Sequence, residues 1–145
     1  MIKIDQTQWP IVYIEVDGLA TVTAMEEYNT EMEKLLDFAE QQPKKFGIIY
    51  ISEMSDEEYK QHKREREAQR LSNAWLKQNK PRIGATCVGI AMVTKATGMM
   101  KIMRPIAKRS MKRMMGAPGD VFFELSAAAF CHQNSYLDLL KPLFL

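Results

Sequence analysis

The cysteines and histidines, which could act as nucleophiles, bases or metal ligands, are few and are spread along the chain. Cys131 and His132 are neighbours, but adjacent residues on a helix point about 100° apart, whereas a cysteine nucleophile needs its base within hydrogen-bond reach. With Cys87 and His62 they make up all the cysteines and histidines, and their spacing matches no zinc motif. We therefore predict no catalytic residues, no metal site, no cofactor and no enzymatic activity.

A carboxylate pair is the other arrangement that could support acid–base chemistry. Glu15 and Asp17 point to the same side of a predicted strand, although an exposed strand face is the commoner explanation for such a pair. Gly84, Gly89 and Gly98 do not form the glycine pattern of a phosphate-binding loop. Neither arrangement predicts a particular reaction.

The two cysteines are too few for the disulfide framework of a small secreted domain, and we expect reduced, buried thiols. The N-terminus has charged residues at positions 3 and 5 and no apolar core of signal-peptide length. The uncharged run at residues 83–94 falls far short of the roughly 20 residues of a membrane-spanning helix. These features predict a cytoplasmic protein.

Charge is distributed very unevenly along the chain. The 145 residues suit a single domain, and 46% hydrophobic with 26% charged residues is a globular composition. The net charge of +2 hides an acidic block with 15 acids and 8 bases in residues 1–67, and a block with 11 bases and no acid in residues 68–119. The cations of the second block must therefore face solvent, the acidic elements or a ligand.

Six of the 11 methionines fall in residues 99–115, within the basic block. On a helical wheel of residues 106–115, Ile106, Met111 and Met114 fall on one half, and the cations Lys108, Arg109, Lys112 and Arg113 fall on the other. We predict that an anionic partner would be bound by six cations: Lys101, Arg104, Lys108, Arg109, Lys112 and Arg113.

Three interpretations of this segment remain open. It is an ordinary helix that buries its methionine face on the sheet, a basic surface for an anionic ligand or acidic protein, or an attachment site for an anionic membrane surface. The last would also use Met99, Met100, Ile102 and Met103. Nucleic acid is disfavoured, because the segment has no aromatic residue on which bases could stack. A homodimer in which an acidic helix faces the basic helix of a second copy would satisfy both charge blocks.

Hydrophobic periodicity predicts the elements that carry these residues. We expect strands at residues 2–5, 10–16, 46–51, 83–94 and 121–125. We expect helices from about Thr23 to Pro43, from 56 to 78, from Pro105 to Gly116 and from Ser126 to about Leu140. Capping boxes are predicted at Thr23 with Glu26 and at Ser55 with Glu58. This order predicts one α/β domain over residues 1–145, with a mixed, mostly parallel sheet after an N-terminal hairpin and about four helices.

This order resembles the STAS-like superfamily, the fold of anti-sigma factor antagonists, and especially its SpoIIAA-like branch. Residues 9–18, 48–52 and 121–128 carry the resemblance, which spans nearly the whole chain through strand and helix patterns. It implies a regulatory or ligand-binding module that acts through protein contacts. It also implies a candidate phosphosite at Ser55, although Asp56-Glu57-Glu58 replaces the family's small Ser/Thr-Gly-Leu run. An ordinary helix N-cap accounts for Ser55 as well.

Overall fold

The predicted α/β fold class is confirmed by the computed structural model, which describes residues 2–16, 21–61, 63–95 and 97–123. Its elements are β1 (Ile2–Asp5), β2 (Ile11–Val16), α1 (Val22–Glu40), β3 (Phe46–Ser52), α2 (Asp56–Gln61), α3 (Arg66–Thr86), β4 (Cys87–Thr94), α4 (Thr97–Met115) and β5 (Gly119–Phe122). The predicted C-terminal helix from Ser126 lies outside the described residues.

The five strands lie side by side in sequence order. β1 and β2 form the predicted antiparallel hairpin, and β2 to β5 are parallel. Because each crossover moves one strand in the same direction and such crossovers are right-handed, the intervening helices fall on one face of the sheet. The strand order never reverses within the described sheet, so this sheet has no switch point of the kind at which doubly wound folds bind ligands.

The core lies between that face and the helices. Val12 and Ile14 of β2 and Phe46 of β3 are fully buried there against α1 and α3. A smaller cluster joins Met111 of α4 to Val121 of β5. The opposite face carries a third cluster, whose described members all lie on strands: Ile11, Tyr13, Ile49, Ile51, Ala91, Val93 and Phe122.

Helix α1 buries the side chains that its periodicity predicted: Met25, Tyr28, Met32, Leu35, Leu36 and Ala39. Its N-cap is Thr21, whose hydroxyl accepts a hydrogen bond from the Ala24 amide at 3.2 Å. The predicted capping box at Thr23 is therefore wrong by two residues. The Glu65 carboxylate accepts a hydrogen bond from the Val22 amide. This distant partner satisfies an amide of the first turn and so allows the helix to begin earlier than predicted.

The predicted helix over residues 56–78 is divided in two. The capping box at Ser55 is confirmed, since the Ser55 amide donates to Glu58 at 2.7 Å and the Glu58 amide donates to the Ser55 hydroxyl at 3.2 Å. The short α2 then ends at Gln61, where the sequence offers no large apolar side chain to bury. α3 begins only at Arg66, just before its first buried residue, Ala68.

Helix α3 also extends beyond its predicted end. It runs through Pro81 to Thr86, so the prediction of a strand beginning at Ile83 is wrong. Trp75, Asn79 and Ile83 follow at intervals of four residues and are all buried, and burial of this stripe outweighs the β-propensity of the later residues.

Helix α4 begins at Thr97, well before the predicted start near Pro105, which instead lies inside the helix. The Gly98 amide donates to the Asp56 carboxylate at 3.2 Å, and this contact satisfies an amide that the first turn would otherwise leave without an acceptor. The end of the helix at Gly116 is confirmed, because this residue follows α4 with φ of 84°. β5 begins two residues earlier than predicted, at Gly119.

Gly116 also sets the contact between α4 and α3. A Cβ atom at this position would lie 2.5 Å from the backbone oxygen of Lys80, and only glycine adopts this φ without strain. We expect Gly116→Ala to lower the free energy of unfolding by about 2 kcal/mol in urea titrations. Gly98→Ala is the control, since its Cβ would meet only the flexible side chain of Asp56. An equal effect of the two substitutions would contradict this account of Gly116.

Candidate functional site

Cys87 is not placed to act as a nucleophile. Its side chain is buried in the core, and its thiol donates to the Gly89 carbonyl at 3.3 Å. Burial raises the pKa of the Cys87 thiol to about 12, so the reactive thiolate is scarce at neutral pH. This confirms the expected buried thiol for Cys87, whereas Cys131, His132 and His62 lie outside the described residues.

The carboxylate arrangement near β2 is open to solvent. Glu15 is exposed and lines a hollow of about 270 Å³ with Lys3, Asp5, Gln8, Tyr13 and Ile51. Hydrogen bonds from Thr7 lower the pKa of Asp5, which keeps this carboxyl ionised. Asp17 lies outside the described residues. Among the residues that are described, no three His, Cys, Asp or Glu side chains are placed to hold a metal ion.

One arginine of α3 binds three carboxylates of α1. Arg82 donates to Glu33 at 2.6 Å, to Asp37 at 2.7 Å and to Glu40 at 2.5 Å. Glu33 also accepts a hydrogen bond from the Trp75 indole at 2.9 Å. These three carboxylates of α1 therefore hold α1 against α3 and form no described ion pair with α4.

The inner side of α4 packs on β5. Met111 is buried against Val121, and Asp120 accepts two hydrogen bonds from Arg104, at 3.0 and 3.1 Å, and an ion pair from Lys108 at 3.7 Å. Partial burial acts to raise the pKa of Asp120, but the hydrogen bonds from Arg104 and the Val121 amide, together with the charges of Arg104 and Lys108, outweigh it, and the pKa lies below its ordinary value. Two of the six predicted anion-binding cations therefore have a carboxylate partner within the domain.

The other cations of α4 point away from the domain. Arg109, Lys112 and Arg113 are exposed and form no ion pair with any described carboxylate. Lys101 is also exposed, and its ammonium lies 6.0 Å from the ring centre of Phe123. The structure thus separates the six predicted residues into an inner pair and an outer group of four.

Large apolar side chains accompany the outer cations. Ile102 is 78% exposed, Ile106 58% and Met114 53%, and Met103 is exposed too. Of the three interpretations, the one in which α4 buries this whole apolar half on the sheet does not hold for Ile106 and Met114, because the inward direction centres on Met111. We call the following eight residues the outer surface of α4: Lys101, Ile102, Met103, Ile106, Arg109, Lys112, Arg113 and Met114.

Within the described part of the chain, only one large apolar side chain away from α4 is comparably exposed, that of Phe38. Phe38 also packs edge-on against the Trp9 ring, with centroids 5.0 Å apart. Contiguous exposed apolar side chains mark interaction sites more often than isolated ones do. The outer surface of α4 is therefore the candidate functional site.

Comparisons of the chain with protein-family models, with curated proteins and with solved structures found no match. None of the helices in the described ranges combines the length and the apolar composition needed to cross a bilayer.

The Arg82 cluster leads to a prediction for stability. We expect Arg82→Ala to lower the free energy of unfolding in urea by about 2 kcal/mol, because it removes several charged hydrogen bonds and leaves three carboxylates facing one another. Arg70→Ala on the same helix removes one exposed pair with Glu67 and should cost no more than about 0.5 kcal/mol. Equal losses for the two variants would mean that the cluster does not join α1 to α3.

The burial of Cys87 leads to a second prediction, for reactivity. In a Cys131→Ser variant, whose only thiol is Cys87, the folded protein should resist a thiol-specific disulfide reagent at neutral pH and react fully in denaturant. The measurement is the absorbance released by the reagent over time. Rapid labelling of the folded protein would contradict the buried, protonated state of this thiol.

Proposed function

We propose that this domain is a non-catalytic regulatory or binding module that acts by contact with an anionic macromolecular partner through the outer surface of α4. The observation that carries the proposal is the position of Ile102 and Ile106, which are exposed beside cations that have no described carboxylate partner. A solvated helix face gains nothing from large aliphatic side chains, whereas a binding surface buries them on contact.

The charge of α4 supports an anionic partner. The helix has six cations and no acidic residue, and Asp120 forms ion pairs with two of these cations, Arg104 and Lys108. An approaching anionic group would therefore meet Arg109, Lys112 and Arg113 without displacing an existing ion pair. Such a cationic surface attracts an anionic partner before contact and speeds association.

A homodimer remains a prediction. Glu33, Asp37 and Glu40 of α1 are held by Arg82, so α1 has mainly Glu26 and Glu27, both exposed, to offer to the α4 of a second copy. The STAS-like relationship, the cytoplasmic location and phosphorylation of Ser55 also remain predictions. Ser55 already caps α2, and a phosphate there would stand beside Asp56 and Glu57.

A soluble polyanion tests the proposal without presupposing the natural partner. We expect a fluorescein-labelled polyglutamate peptide to bind the protein in an anisotropy titration at about 50 mM salt, and binding to weaken as salt screens the charges. The double variant Lys112→Glu and Arg113→Glu should weaken binding by about tenfold or more, since it reverses two of the outer cations.

The matched control reverses two exposed lysines outside α4, with Lys63→Glu and Lys77→Glu. It changes the net charge by the same amount and should leave the affinity within about twofold. Equal weakening by both double variants would show that attraction depends on net charge and would reject α4 as the binding surface.

A further inference from the structure

We propose that the partner of the outer surface of α4 is an anionic lipid bilayer, on which the helix lies with Ile102 and Ile106 inserted below the headgroups. This inference rests on the proposed function, since it names the class of anionic partner. It depends on three observations: the line of residues that faces outward, the chemistry that flanks this line, and the way the helix is held by the domain.

The outward line consists of Ile102, Ile106, Arg109 and Arg113, at intervals of four, three and four residues. These intervals keep all four side chains on one side of a helix. The line spans about 16 Å, with its first half apolar and its second half cationic. A flat anionic surface can contact all four at once, because it accepts apolar side chains between its headgroups and charges at their level.

The flanks of this line differ in chemistry. Met103 and Met114 lie on one side, and Lys101 and Lys112 lie on the other. Long lysine and arginine side chains can hold their charges at headgroup depth while neighbouring aliphatic groups go deeper. The methionine flank and the two isoleucines therefore form the inserted edge, and the lysine flank follows the headgroups.

A bilayer fits this surface better than an acidic protein does. Protein interfaces are depleted in lysine and bring complementary charges of both signs together, whereas α4 has three lysines and no carboxylate. An anionic leaflet supplies a continuous negative potential that needs no matched side chains. The outer surface is also a single exposed helix face, which a planar partner can contact without a complementary groove.

The domain holds α4 ready for this contact. Met111 packs on Val121, Arg104 is bonded to Asp120, and the Gly98 amide is bonded to Asp56. The helix is therefore formed before it meets a membrane, unlike an isolated amphipathic peptide that must fold on binding. The inner cations fix the helix on the sheet, and the outer ones remain free to meet lipid.

Vesicle co-sedimentation tests the inference with the whole chain. We expect the protein to sediment with vesicles of phosphatidylcholine containing about 30% phosphatidylglycerol at low salt, and to remain in solution with pure phosphatidylcholine. Lys112→Glu with Arg113→Glu should lower the partition coefficient by about tenfold or more, and the Lys63→Glu with Lys77→Glu control by less than about twofold.

The isoleucines separate insertion from charge attraction. Ile102→Ser with Ile106→Ser should lower partitioning into the anionic vesicles by about fivefold or more, and should leave the affinity for polyglutamate within about twofold because that contact requires no insertion. Both positions are exposed, so the variant is expected to keep the wild-type circular dichroism and urea midpoint. A fluorophore attached at Ile102→Cys in a chain with Cys131→Ser supplies an independent readout, a blue shift with anionic vesicles.

The other possible results of these experiments would overturn the lipid inference, the proposed function or both. Binding to polyglutamate without binding to vesicles would overturn the lipid inference and favour an acidic protein, with the proposed function intact. Binding to neither probe would overturn both. Vesicle binding that is unchanged by the serine variant, together with no fluorophore shift, would reject insertion and therefore this inference.

Discussion

The pairing of Arg82 with three carboxylates of α1 is the interaction on which the arrangement of the helices depends. It joins α1 and α3 over the same face of the sheet, beside a core that includes Trp75 and Ile83. The Arg82 side chain remains 28% exposed, so its charge avoids the full desolvation cost of burial while still meeting three partners. The same cluster engages three of the six carboxylates of α1 within the domain.

The cations of α4 fall into two groups. Asp120 on the neighbouring strand fixes the inner side of the helix through Arg104 and Lys108. The outer side keeps its cations and also carries isoleucines, which gain nothing from water. Within the described residues, packing alone does not explain why exposed isoleucines lie beside these cations. This is why we propose a binding role for the outer surface of α4.

Local patterns in the sequence predicted the hairpin, the buried face of α1 and the capping box at Ser55, because each depends on residues close together in the chain. The predictions were wrong where residues distant in the sequence determine the ends or the orientation of a helix. Pro105 and Pro81 fall inside helices whose ends are fixed by a carboxylate from another helix or by burial against the sheet. The wheel for α4 separated apolar from charged residues, but its orientation depends on Val121 and Asp120 of β5. The exposure of Ile106 could therefore not be read from the periodicity.

The sequential strand order also bears on how the domain is made. Residue 11 pairs with 47, 47 with 89, and 90 with 119, so no described strand waits for a partner from the far end of the chain. The entropic cost of closing such loops grows only slowly with their length, and connections of this kind keep contacts moderately local. During synthesis each new strand emerges when the preceding one is already available as an edge. The sheet can therefore grow from the N-terminal hairpin outward, with α4 and its outer surface among the last described parts to be added.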